Sequence, residues 1–211
     1  DNIELKNISN SAKYELFDEL WTSINISGSN GYSGDSLSAT FQVIQRAQQI
    51  VNDEINTSMS DREKLRIIHD YMINNCIYDE EAYQLSEIAR KNSRPLTEKE
   101  IEYLDESNAW SPVGVIIDEK AVCDGYASTF QLFCSLMDIP CAYISGDSIN
   151  SAGEEGKHAW NAVIIDGETL YVDVTWDDPT PDGNLRYDYF LVSEDEINKN
   201  HFADENNTEY N

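Results

Sequence analysis

The chain has 211 residues, of which 40% are hydrophobic, and its formal net charge is -26 from 40 acidic and 14 basic residues. This length allows one substantial core, whereas the strongly acidic surface disfavours nucleic acid phosphates and anionic membranes as partners. The longest apolar stretches, such as residues 113–117, are too short to cross a bilayer, so no membrane-spanning segment is expected.

The N-terminal part of the chain is predicted to be an extension followed by a helix. Residues 1–36 form the expected extension, with a short helix near Tyr14 to Trp21 and a loop rich in Ser, Asn and Gly from Ser23 to Ser36. The main domain is expected to span residues 37–211. Its first helix is predicted from Leu37 to Ile55, where apolar residues recur at helical spacing.

Capping boxes predict the starts of three further helices. In this motif a Ser or Thr is followed three positions later by Glu, and each side chain binds the other residue's backbone N–H. The motif occurs at Ser60, Thr97 and Ser193. Between the first two, residues 80–91 are helical by composition.

The second half of the chain is predicted to contain a central helix and an antiparallel sheet. The helix starts at Cys123 and must end before Pro140, because proline restricts the residue that precedes it. Residues 148–157 are polar and indicate a mobile loop. The predicted strands are Cys141–Ser145, Ala159–Ile165, Leu170–Trp176 and Tyr189–Val192. Helices followed by antiparallel strands indicate an α+β fold with segregated layers.

The hairpin signal Asp166-Gly167 sets the expected register of two of these strands. In-register pairing places residue 160 opposite 173 and residue 158 opposite about 175. His158 and Asp173 then lie diagonally on one face of the sheet, where their side chains can converge.

Cys123, His158 and Asp173 are the candidate catalytic residues. A cysteine at a helix N-terminus faces unpaired N–H groups and the positive end of the helix dipole, which favour a thiolate and can stabilise an oxyanion. His158 would act as base and acid, and Asp173 would orient the imidazole. This arrangement predicts a thiol pKa well below the ordinary value of about 8.5.

Three segments resemble the motifs of transglutaminase-like domains, most closely those of the bacterial, protease-like branch. They are AVCDGYA at 121–127, HAWN at 158–161 and YVDVTWD at 171–177, and the resemblance covers about residues 60–195. It implies a papain-like α+β fold, with Cys123 as nucleophile, His158 as base and acid, and Asp173 as the orienting group.

Three residues are candidates for substrate binding. Trp160 is expected to wall the cleft by strand parity. Val113 stands where such domains often carry an aromatic residue, so Trp110 is the candidate to replace it near the oxyanion. Gly125 either keeps the first helical turn open near the nucleophile or relieves crowding against a neighbouring strand.

Other polar residues have structural interpretations. His69 is expected to be a partly buried structural histidine, and His201 to be solvated in a polar tail. Asp177 is expected to form a turn and to matter much less than Asp173. Trp176 could wall the cleft or fill the core. No metal and no cofactor are assigned.

The cysteine pattern bears on location. Cys76, Cys134 and Cys141 are expected to be buried, inert thiols, and no CxxC pair suggests zinc. This usage suits a cytosolic protein or one exported by a cell living without oxygen. The chain begins at Asp1 rather than Met and shows no basic-then-apolar signal segment, as expected also of a mature form from which a signal has been removed. The location is left open, with a secreted or cell-surface protein favoured over a cytoplasmic one.

The leading hypothesis is a thiol-dependent acyl-transfer enzyme that hydrolyses peptide or amide bonds or passes the acyl group to an amine. Its expected partner is a protein or peptide substrate, and the oligomeric state is left open. The alternative is a non-catalytic binding or scaffold module that retains the fold. A weaker third hypothesis places binding in the N-terminal extension of a surface-associated protein.

Overall fold

The structure is a computed structural model that describes residues 34–178 and 185–204. Its helices are α1 (Gly34–Glu54), α2 (Asp61–Asn75), α3 (Glu80–Lys91), α4 (Glu98–Glu106), α5 (Cys123–Leu136), α6 (Val174–Asp177) and α7 (Glu194–Ile197). Its strands are β1 (Ile77–Tyr78), β2 (Lys120–Ala121), β3 (Cys141–Ile149), β4 (Glu155–Ile165), β5 (Glu168–Val172), β6 (Phe190–Val192) and β7 (His201–Ala203). This sequence of elements confirms the predicted α+β class.

The capping-box predictions are confirmed for α2 and α4. At Ser60 and Thr97 the side-chain oxygen accepts from the N–H three positions on, and the glutamate there binds the cap's own N–H. At Ser193 the side chain accepts from Glu196 N–H, but the helix that follows has only four residues.

The predicted N-terminal extension falls mostly outside the described residues, including the short helix near Tyr14 to Trp21. The loop predicted from Ser23 to Ser36 is wrong for its last three residues, because α1 already begins at Gly34.

Two sheets organise the strands. β1 and β2 form a parallel pair, and β3 to β7 form an antiparallel sheet with the order β6-β5-β4-β3-β7. The predicted hairpin register is confirmed within the paired residues, where Asn161 pairs with Val172 and Ile165 with Glu168.

The loop predicted over residues 148–157 is shorter in the structure. β3 runs to Ile149 and β4 begins at Glu155, so five residues connect them. The polar composition of this stretch reflects the exposed end of a hairpin, where backbone pairing rather than apolar burial holds the strands.

Helix α5 forms the centre of the core. It packs on β3 and β4 on one side and on α2 and α6 on the other. Its side chains are buried around most of its circumference, including Tyr126, Phe130 and Phe133. Cys134, in its last turn, and Cys141 are fully buried, and Cys76 is also buried, which confirms the prediction that these thiols are buried. A helix enclosed in this way holds its N-terminal residue in a fixed place relative to the sheet.

Within residues 34–178 and 185–204, no helix is long and apolar enough to cross a membrane.

Candidate active site

The structure brings His158 and Asp173 into direct contact. His158 lies in β4, paired with Gly146 of β3. Its Nε2 lies 2.6 Å from Asp173 Oδ2, and both side chains are buried. An ionised carboxylate can only accept hydrogen bonds, so Nε2 carries the proton of this bond and Nδ1 remains for Cys123.

Asp173 is fixed by the turn that follows β5. The strand predicted to reach Trp176 ends at Val172, and the prediction is wrong beyond it because Asp173 is the N-cap of α6. Its Oδ1 accepts from the backbone N–H of Trp176 at 3.1 Å. Aspartate is a favoured N-cap residue, and here the cap also holds the carboxylate against His158.

Cys123 occupies the first position of α5. Val122 is the N-cap and contributes no side-chain hydrogen bond, so the first-turn N–H groups are left for other acceptors. The thiol interacts with His158 and also lies 3.6 Å from Asp124 Oδ2. Tyr143 donates a 2.7 Å hydrogen bond to the other oxygen of Asp124, which fixes that carboxylate beside the sulfur.

Burial and charge have opposite effects on the pKa values of Asp173 and His158. Burial alone would raise the pKa of Asp173, but His158 and His201 outweigh it and hold that pKa below its ordinary range. Burial alone would lower the pKa of His158, but the charge of Asp173, its hydrogen bond and the Cys123 thiol raise it to about 10. His158 is therefore protonated at neutral pH and forms an ion pair with Asp173.

The expected low pKa of the Cys123 thiol was predicted wrongly for the structure as described. Burial raises the pKa of this thiol above its ordinary value, and the charge of Asp124 acts in the same direction. The interaction with His158 lowers the pKa but does not outweigh burial. Cys123 is only 4% exposed. The sequence shows that the cysteine begins a helix, but it does not show how deeply the sulfur is buried.

An open groove of about 480 Å³ adjoins the site. Its walls come from α3, from the β3–β4 hairpin and from α6, and its lining includes Tyr78, Tyr83, Gly156, His158 and Trp176. Tyr78 and Tyr83 also pack against the cluster that contains Val122, next to the nucleophile. A groove of this volume can hold several side chains of a peptide.

The structure locates the three residues that were predicted to bind substrate. Trp160 is only 2% exposed and packs in the core with Ile144 and Ile197, so its placement in the cleft wall was wrong; Trp176 lines the groove instead. Strand parity does put Trp160 on the face of His158, but Ile197 of α7 and the ring of His201 pack on that face and bury the indole.

Gly125 and Trp110 have packing roles in the structure. A Cβ on Gly125 would lie 2.4 Å from the carbonyl oxygen of Ala109, so close backbone approach excludes a side chain here. This supports the crowding interpretation. Trp110 is partly buried against the cluster of Ala82, Ala109 and Val122.

His201 was predicted wrongly as a solvated residue. It is fully buried, and its Nε2 lies 2.9 Å from Asp173 Oδ2. It begins β7, whose three residues give almost no periodic signal in the sequence. Pairing with Ser148 of β3, 53 residues earlier in the chain, fixes the backbone of His201, and Trp160, Trp176 and Tyr189 surround its ring.

His69 and Asp177 form a second buried pair. His69 Nε2 lies 3.1 Å from Asp177 Oδ2, and both side chains are fully buried. Asp177 Oδ1 accepts from the backbone N–H of Tyr189. This pair joins α2 to α6, the helix whose N-cap is Asp173. The position agrees with the structural role expected for His69.

His158, Asp173 and His201 also have the donor types of a metal site, with ligand atoms within 4.8 Å of one another. The imidazole nitrogens that would bind an ion already point at the same carboxylate oxygen. Neutral imidazoles and a carboxylate are suitable ligands for zinc, but an ion here would replace both hydrogen bonds.

Comparisons with known proteins find sequence relatives and a similar fold. The sequence profile described as Transglutaminase-like superfamily matches residues 45–176. Kyphoscoliosis peptidase of Mus musculus is 27% identical over 187 residues, which are 82% of this chain and 25% of that protein. The Homo sapiens protein of the same name is 28% identical over 173 residues, or 75% of this chain and 23% of that protein.

A solved structure shows the same fold. A crystal structure described as that of a TGase has a TM-score of 0.50 at 20% identity, and the match covers 89% of this chain and 43% of that one. The chain spans about a quarter of the length of the two kyphoscoliosis peptidases.

Proposed function

The chain belongs to the transglutaminase-like superfamily, and from this membership and the geometry of its site we propose that it is a thiol-dependent acyl-transfer enzyme. The proposed reaction is hydrolysis of peptide or amide bonds, with transfer of the acyl group to an amine as its variant. The observation that carries the proposal is the buried pair of His158 and Asp173 beside a cysteine at a helix N-terminus.

In the proposed first step the sulfur of Cys123 attacks the substrate carbonyl carbon. The reactive form is the thiolate beside the His158 imidazolium, and Asp173 stabilises that imidazolium. The N–H groups at the start of α5 lie where they can bind the oxyanion. His158 then gives its proton to the leaving amine, and an acyl thioester on Cys123 results.

In the second step water or an amine attacks the thioester carbonyl. His158 takes a proton from the attacking group, and the thiolate of Cys123 leaves. The groove beside His158 is open, which admits water readily and favours hydrolysis. Its volume of about 480 Å³ leaves room for part of a peptide substrate.

The alternative proposal is a non-catalytic binding module that retains the fold. One observation favours it: Cys123 is 4% exposed, and burial raises the pKa of its thiol. To act as a nucleophile, the buried sulfur must first be exposed. Substrate binding could expose it, or a movement of the groove walls, which include Tyr78 and Tyr83. A binding module would use the groove and leave the thiol unreacted.

The test is incubation with a peptide library in the presence of a labelled primary amine, followed by mass spectrometry. Hydrolysis gives new peptide carboxyl termini, or acids from side-chain amides, and transfer gives labelled peptides. We expect hydrolysis products that disappear in Cys123→Ala, with its folding checked by circular dichroism. Peptides that bind but return unchanged would support the binding module and contradict the proposed enzyme.

A further inference from the structure

The carboxylate of Asp173 accepts hydrogen bonds from two histidines. His158 Nε2 lies 2.6 Å and His201 Nε2 lies 2.9 Å from the same oxygen, Oδ2. The other oxygen accepts from the N–H of Trp176. Asp173 is 1% exposed and His201 is fully buried, so these protein groups take the place of water around the carboxylate.

His201 is held in a single orientation by what surrounds it. Its ring centroid lies 4.5 Å from that of Trp176, 4.9 Å from that of Trp160 and 5.4 Å from that of Tyr189. Its Nδ1 lies 2.7 Å from Asn200 Oδ1. The pairing of β7 with β3 fixes the backbone beneath it.

Asn200 links this histidine to the next side chain. Its amide nitrogen donates to the Tyr189 hydroxyl at 2.7 Å. A continuous hydrogen-bonded chain therefore runs from Tyr189 through Asn200 and His201 to Asp173 and on to His158. Such a chain fixes each member more firmly than an isolated pair does.

We infer that His201 is a positioning residue of the active site, which holds the carboxylate of Asp173 in the orientation that His158 requires. The inference rests on the proposed function. Without the His201 N–H, the carboxylate is held by Trp176 alone on the side away from His158. It can then rotate about its Cβ–Cγ bond and weaken its bond to the imidazole that serves Cys123.

Donation from His201 also keeps Asp173 ionised. The hydrogen bond and charge of His201 are among the causes that hold the pKa of Asp173 below its ordinary range, against the effect of burial. Both imidazoles must present Nε2–H to the shared oxygen, since an ionised carboxylate has no proton to donate. The arrangement therefore requires a proton on Nε2 of both rings, which is a measurable property.

Two substitutions separate hydrogen bonding from packing. His201→Phe keeps an aromatic ring among Trp160, Trp176 and Tyr189 but removes the donor. His201→Gln lacks the ring, but its amide NH2 can reach the place of Nε2 and donate to Asp173. A residue that serves only to fill space would be replaced better by Phe, and a positioning residue would be replaced better by Gln.

The first measurement needs no substrate. The rate of Cys123 alkylation by iodoacetamide is followed by peptide mapping in the unmodified protein and in both variants. We expect His201→Phe to slow it about ten-fold, as for the loss of one hydrogen bond to a charged group, and His201→Gln to stay within about three-fold. Equal losses, a greater loss in the Gln variant, or an unchanged rate in the Phe variant would overturn the inference. If His201→Phe does not fold, the Gln variant is decisive: an alkylation rate within about three-fold of the unmodified protein supports the inference, and a larger loss contradicts it.

The second measurement finds which imidazole nitrogens carry a proton, by long-range ¹H–¹⁵N NMR, which is practicable because the chain has 3 histidines. His201 should carry a proton on Nε2, and a bare Nε2 would overturn the inference. Where a substrate is turned over, the Phe variant should lower kcat and leave KM unchanged. If no substrate is ever turned over, the proposed function fails. The alkylation rates and the proton on Nε2 still show whether His201 positions Asp173.

Discussion

Replacement of Asp173 by Asn tests the orienting carboxylate. Three donors converge on its two oxygens: His158, His201 and the N–H of Trp176. Asparagine has one acceptor oxygen and an NH2 group that only donates. In either orientation of the amide, at least one donor faces another donor. If the NH2 faces His158, the imidazole must accept at Nε2 and carry its proton on the side of the thiol, which is the wrong tautomer for a base.

The magnitude follows from the pKa of His158. Its rise from 6.5 to about 10 corresponds to about 5 kcal/mol in favour of the imidazolium. Asp173 is the largest of the causes that raise it. A hundred-fold fall in turnover requires about 3 kcal/mol, so loss of the charge suffices. We expect turnover to fall by a factor of about one hundred or more, with little change in substrate binding.

The assay compares kcat and KM for Asp173→Asn with those for the control variant Asp177→Asn on one amide substrate. Asp177 is also buried, but it pairs with His69 and with the N–H of Tyr189. Its replacement should lower thermal stability and affect turnover of the folded fraction far less. Equal losses of kcat in the two folded variants, or a greater loss for Asp177→Asn, would refute the assignment of the carboxylate.

Three further outcomes are expected. Cys134→Ala should lower the melting temperature and leave the activity of the folded protein unchanged, because Cys134 is fully buried in the last turn of α5; loss of activity without loss of stability would contradict this. Gly125→Ala should lower the free energy of unfolding in urea by about 1–3 kcal/mol, since its Cβ meets the carbonyl of Ala109; unchanged stability would show that the segment moves aside. The alkylation rate of Cys123 should rise with pH above the ordinary cysteine range, because burial raises its pKa. His158→Gln should move that profile further up, since His158 lowers this pKa; an unmoved profile would show that the pair does not interact.

The sequence predicted the elements that local signals define. Capping boxes placed α2 and α4, and a turn signal at Asp166-Gly167 set the register that pairs Asn161 with Val172. The α+β class and the transglutaminase-like fold followed from element order and motifs, and both are confirmed. These features depend on residues close together in the chain.

Features that depend on tertiary contacts were missed. The burial of His201 arises from the pairing of a three-residue strand with β3, and nothing in its own sequence marks it. Trp160 was placed on the correct face of β4, but the sequence does not show that the face is covered. The direction of the Cys123 pKa was wrong for the same reason, since a helix N-terminus is visible in a sequence and the depth of the sulfur is not.

The most direct test of the proposed enzyme is a search for the acyl thioester on Cys123. The folded protein is incubated with an activated ester at neutral pH, quenched in acid, and examined by intact mass spectrometry and peptide mapping. We predict one acyl group on the peptide that contains Cys123, labile to hydroxylamine, and no such adduct in Cys123→Ser. A protein that remains unacylated, or that carries the label equally in Cys123→Ser, would contradict a thiol acyl-transfer mechanism.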